Sequence, residues 1–115
     1  MSTLEDISTG SLGADPDVIA RFGAELRNLY GKRLERAVLY GSRARGVARE
    51  DSDYDVAIFL WSFGSFYEES GRLSPIETEI LFETGAVINS FVFEAGGYAE
   101  RTGFMAEVRR DGRDF

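Results

Sequence analysis

The 115-residue chain contains no cysteine and no histidine, and only 2 prolines. Without thiolate or imidazole it can form no zinc site of the usual ligand types, no disulfide framework, no Cys-His pair and no Ser-His-Asp triad. Metal chemistry is therefore left to oxygen ligands. Basic residues are also in deficit, 13 against 20 acidic, for a formal charge of −7. Holding nucleic acid without regard to sequence depends on clustered Lys and Arg, so stable binding of duplex nucleic acid is not expected. No apolar run approaches the length of a membrane span, and Met1-Ser2-Thr3-Leu4-Glu5-Asp6 lacks the basic start of a secretory signal. The expectation is a cytoplasmic protein that does not enter membranes.

At this length one core can form, burying roughly two-thirds of the unfolded surface, with no room for a separate substrate domain. Residues 1–14, rich in Ser, Thr, Gly and acids, read as a flexible leader, and residues 15–115 as the domain. Asp15 with Pro16 opens a helix carrying Val18, Ile19, Phe22, Leu26, Leu29 and Tyr30 on one face, and Gly31 stops it. Ala37–Tyr40 reads as a buried strand, Asp53–Leu60 as a second, and Ala86–Phe93 as a third. Between the last two, Ser74-Pro75-Ile76-Glu77 has the form of a capping box, opening a helix that stops at Gly85 or extends back toward Phe66 with Pro75 as a kink. A closing helix over Thr102–Arg110 turns Phe104, Met105 and Val108 inward. Trp61, Phe63, Phe66 and Tyr67 read as core or as a partner contact rather than as a base-stacking platform, and Glu77, Glu79 and Glu83 as a solvated face.

Chemistry concentrates between Tyr40 and Asp55. A strand ending in Gly41-Ser42 and turning into a short helix offers free N–H groups and a hydroxyl, which suits a polyphosphate, with Arg43 or Arg45 to compensate charge. Asp53 and Asp55, two apart on a strand, project from one face and can chelate Mg²⁺ with nucleotide oxygens completing the shell. Gly41-Ser42, Ala44-Arg45-Gly46 and Ser52-Asp53-Tyr54-Asp55, in that order and spacing, resemble the signature of the minimal nucleotidyltransferases of the DNA polymerase beta-like superfamily. The resemblance spans about residues 15–115. It implies an α/β (α+β) fold, a small mixed sheet of three or more strands with helices mainly on one face.

The same resemblance implies transfer of a nucleotidyl group, AMP from ATP, with Mg²⁺. Asp53 and Asp55 would be the catalytic metal ligands, and Gly41, Ser42, Arg43, Arg45 and Ser52 the nucleotide contacts. It further implies an antitoxin-type protein whose partner is a small helical HEPN-type toxin bearing the acceptor. A homo-oligomer stays open. One departure stands out: where the family commonly has a third carboxylate on the third strand, counting from Gly85 leads to Asn89. Asn89 is either a weakened metal-site position or an ordinary strand amide, and Glu94, on the opposite face by alternation, is a poor replacement. A second reading is thus a catalytically impaired binding module that neutralises a partner or senses a nucleotide. Transfer to a small molecule such as an aminoglycoside is a third, less favoured for want of an acceptor domain.

Overall fold

The structure, a computed structural model, describes residues 13–115. Residues 1–12 of the expected leader lie outside the described residues. Gly13 and Ala14 are held by the domain: the Gly13 carbonyl accepts a hydrogen bond from Arg43, and Ala14 packs on the core.

Helix α1 (Pro16–Tyr30) begins where Asp15 accepts the Asp17 N–H and ends at Gly31, whose φ is +52°. A single 3₁₀ turn, Gly31–Arg33, leads into β1 (Leu34–Tyr40). The four-residue helix α2 (Ser42–Arg45) follows, then β2 (Tyr54–Leu60), α3 (Phe66–Thr84), β3 (Ile88–Glu94), α4 (Gly103–Asp111) and the two-residue β4 (Arg113–Asp114). The sheet order is β3-β2-β1-β4, with β1 antiparallel to both neighbours and β2 parallel to β3. A right-handed crossover normally joins such a parallel pair, and α3 supplies the intervening helix.

Alternation along β2 divides the interior. Tyr54, Val56, Ile58 and Leu60 face α1 and α3, meeting Phe22, Leu26, Leu73 and Ile80. Ala57 and Phe59 face the other way and join Val38 and Tyr40 under Met105 and Val108 of α4. Two long helices therefore cover one face and one short helix covers part of the other, the mixed-sheet arrangement expected from the sequence.

Several boundaries differ from the sequence reading. The long helix starts at Phe66, eight residues before Ser74 and where the extended alternative put it, because Ser65 is its cap: its hydroxyl accepts the Glu68 N–H at 3.1 Å. Pro75 lies inside this helix, on its exposed side, while Leu73 and Ile80 anchor it to the sheet on either side. Strand β1 starts at Leu34 and β2 at Tyr54, and β3 runs from Ile88 to Glu94. Leu29 points outward, and Phe104 stays partly exposed while contacting Tyr40, Phe91 and Phe93. Of the aromatic group after β2 only Phe63 reaches the core margin; Trp61, Phe66 and Tyr67 are exposed. Glu79 and Glu83 are solvated and pair with Arg21, whereas Glu77 is partly buried and bonded to Ser90. No helix among the described residues is long and apolar enough to cross a membrane.

Candidate active site

The parallel pairing of β2 with β3 sets Asp55 directly beside Asn89. The antiparallel pairing with β1 sets Asp55 opposite Tyr40, the residue before Gly41. Three strand ends thus meet at one carboxylate. Asp55 lies half-buried on the α4 side of the sheet, and Asp53, exposed, precedes β2.

Gly41 is indispensable to this approach. Its φ of +79° and ψ of −160° lie in a region open essentially to glycine alone, and a Cβ there would strike the Asp55 carboxylate. The turn it makes sends the chain into α2, whose Ala44 and Arg45 N–H groups both return to the Gly41 carbonyl at 3.1 Å. The N–H groups of Ser42 and Arg43, ahead of those bonds, stand at the open start of the turn.

Burial pushes the Asp55 carboxyl up from its ordinary range. Asn89 alongside draws it down, Asp53 and Glu107 push it up, and Arg45 draws it down. Tyr40, buried beneath the same spot, is pushed up to about 12, by burial first and then by Asp55 and Glu107. Glu107 of α4 is thus a third carboxylate of this neighbourhood. Nothing in its sequence surroundings marks it, since it sits on an exposed helix position with no motif. Among the described residues, no three acidic, His or Cys side chains converge closely enough to hold an ion by themselves. Glu94, five positions along β3, lies opposite Leu60 on the other face, as alternation requires.

The remaining motif residues have separate engagements. Arg45 is partly exposed and pairs with Asp111 of α4 at 2.9 Å. The Ser52 hydroxyl accepts the Arg49 N–H at 2.9 Å while the Ser52 N–H returns to the Arg49 carbonyl at 3.0 Å, closing a tight turn. Arg43, expected from the sequence to face a phosphate, points inward. Its Nε and Nη2 donate to the Ser52 carbonyl at 3.2 and 3.1 Å, Nη2 also to the Glu50 carbonyl at 3.0 Å, and Nη1 to Gly13 at 3.1 Å. Its guanidinium carbon lies 4.5 Å from the centre of the Tyr54 ring.

The family described as Polymerase beta, Nucleotidyltransferase matches residues 25–88, just over half the chain. That span holds the Gly41 turn, both aspartates and the whole of α3, and stops one residue short of Asn89. A Methanocaldococcus jannaschii protein named "Putative protein adenylyltransferase MJ0141" is 25% identical over 96 residues, covering 84% of this chain and 93% of its own length.

Proposed function

The chain belongs to the polymerase beta nucleotidyltransferase family, and on that premise we propose that it transfers AMP from ATP, with Mg²⁺, to a hydroxyl on an acceptor protein. The observation that carries this reading is the Gly41-Ser42 turn pressed against Asp55, with Asp53 two residues away and Asn89 in register. Two carboxylates and an amide carbonyl form an all-oxygen donor set. Mg²⁺ commonly takes one or two protein carboxylates and fills its shell with phosphate oxygens and water, so the residues fit it without a third acid. Bound there, the ion supplies charge neutralisation for the departing pyrophosphate.

In this mechanism Ser42 and the N–H groups of the α2 turn hold the outer phosphates, and Arg45 lends positive charge from the α4 side. Asp53 and Asp55 hold the metal ligand positions. The acceptor oxygen forms its bond to the α-phosphorus as the bond to the bridging oxygen breaks, and pyrophosphate leaves with the electron pair. The acceptor proton passes to solvent, because the Asn89 amide has no basic site to receive it. Positioning and charge neutralisation carry most of such a reaction, which a small domain can provide.

A protein acceptor agrees with the name of the Methanocaldococcus jannaschii relative. The family resemblance favours a small helical HEPN-type partner in the cytoplasm, with this chain as antitoxin, and a charge of −7 suits the basic surface of an RNA-cleaving protein. The test is calorimetric titration with ATP, with and without Mg²⁺, beside the Asp53→Asn, Asp55→Asn double variant. Mg²⁺-dependent binding that the variant loses supports the reading; equal binding by both proteins refutes the metal assignment.

Asn89 specifically favours a second reading, a binding module with the same fold that neutralises its partner or senses nucleotide without transfer. A wild type that binds MgATP yet releases no pyrophosphate with any acceptor, and an Asn89→Asp variant that does, would select it.

A further inference from the structure

Among the described residues two charged side chains are buried, Glu69 and Arg43. Glu69 has a cationic partner in Arg33 at 2.8 Å. Among the described residues Arg43 has no carboxylate partner, and its charge is met by three backbone carbonyls and the face of Tyr54. A buried cation without a counter-ion is costly and makes a poor space-filler, so its value lies in the geometry it imposes.

That geometry links the two halves of the site. Arg43 directly follows Ser42, and it grips the Ser52 carbonyl through two nitrogens. The Ser52 carbonyl lies in the same rigid peptide plane as the Asp53 nitrogen, so holding one orients the other. A further bond to Glu50 secures the connecting loop, and the Gly13 bond secures the chain entering α1. Tyr54, under the guanidinium, is fixed from its far end, where its hydroxyl accepts the Asp15 N–H at 3.0 Å.

We propose that Arg43 is a positioning residue that fixes Asp53 relative to Ser42, and thereby couples metal binding to nucleotide binding. The coupling rests on the functional reading above; the fixing of the loop does not. The guanidinium reaches the Ser52, Glu50 and Gly13 carbonyls from three separate nitrogens held in one plane, a spread that the single nitrogen of lysine does not reproduce, despite keeping the charge.

Two measurements on the full chain test this, each with Arg43→Gln and Arg43→Lys, the lysine variant guarding against a glutamine variant that fails to fold. Hydrogen exchange without nucleotide should show amides of residues 46–54 opening about tenfold or more faster in both variants, while α1 and α3 keep their protection. Calorimetry should show ATP affinity without Mg²⁺ within about twofold of wild type, while the tightening that Mg²⁺ brings falls by about fivefold or more. A merely stabilising residue would lower the melting temperature and leave that tightening intact. Unchanged loop exchange in a folded variant overturns the proposal, as does full retention of the Mg²⁺ effect. If wild type binds no ATP at all, the nucleotidyltransferase reading and the coupling fail together, and the exchange data still decide whether Arg43 fixes the loop.

Discussion

Replacing Gly41 by alanine should injure the protein through two separable terms. The first is backbone strain: φ +79° with ψ −160° is closed to residues with a Cβ, at about 1–3 kcal/mol. The second is contact: the new methyl meets the Asp55 carboxylate, which has to leave its rotamer at a further cost of about 0.5–1.5 kcal/mol. Together they predict a loss of about 2–4 kcal/mol in urea denaturation, with unchanged m-value, and a melting temperature lower by about 10 °C or more. Gly46 is the control. Its φ of +77° and ψ of 21° lie in the left-handed helical region and a Cβ there meets nothing within 4 Å, so Gly46→Ala should cost only about 1–2 kcal/mol. Removing the obstacle separates the terms: in an Asp55→Ala background the cost of Gly41→Ala should fall by about 1 kcal/mol. If Gly41→Ala matches Gly46→Ala and the cycle is additive within about 0.3 kcal/mol, the close approach of turn and carboxylate is refuted.

Other outcomes follow from the packing. Glu77 is raised by burial against β3, so its folded-state carboxyl binds protons more readily than the unfolded one, and the stability it contributes at low pH is lost as pH rises through the raised value. Glu77→Gln should therefore raise the melting temperature at pH 7, with the gain vanishing below about pH 4, where both states are protonated; a gain independent of pH would contradict this. Arg33→Met should cost about 2–3 kcal/mol in urea denaturation, toward the lower end for breaking a buried pair because Arg72 stands 4.0 Å from Glu69, and adding Glu69→Leu should recover most of it. Phe22, fully buried between α1 and the sheet, should cost about 3–5 kcal/mol as alanine in the same assay.

What the sequence revealed tracks how local each feature is. The ends of α1 were legible because Asp15, Pro16 and Gly31 act through bonds within a few residues. Alternation along β2 placed Asp55 on the α4 side of the sheet, while Asp53, read as the first residue of that strand, precedes it, and counting from Gly85 brought Asn89 to its place beside Asp55. The start of α3 stayed open between two sites because two Ser-x-x-Glu boxes compete, Ser65 with Glu68 and Ser74 with Glu77; tertiary anchoring by Leu73 carries the helix through the second and selects the start at Phe66. Strand β4 escaped because two residues have no period, and it exists only by pairing with Val38 and Leu39. Arg43 was given the wrong task, and Glu107 was missed. An arginine inside a Gly-Arg-rich turn suggests a phosphate contact until the carbonyls surrounding it are seen, and those come from Gly13, Glu50 and Ser52. Glu107 arrives from α4, distant in sequence.

The neighbourhood of Asn89 gives an electrostatic reason for an amide there. Asp55 already feels Asp53 and Glu107, and Arg45, its compensating cation, is shared with Asp111. A third acid beside Asp55 would add a like-charge repulsion of about 1–4 kcal/mol at a few ångströms, depending on how far water screens the pair. In Asn89→Asp that repulsion should lower the melting temperature in EDTA, by about 4 °C for each kcal/mol. Added Mg²⁺ should then reverse the loss, because an ion that binds only the folded state stabilises by about 2.7 kcal/mol at a hundred times its dissociation constant. Wild type, with one charge fewer, should gain less from the same Mg²⁺. Thermal melts of both proteins across a Mg²⁺ series measure this directly. If Asn89→Asp melts like wild type in EDTA and responds no more strongly to Mg²⁺, position 89 lies outside the metal field and the amide there is only a strand residue.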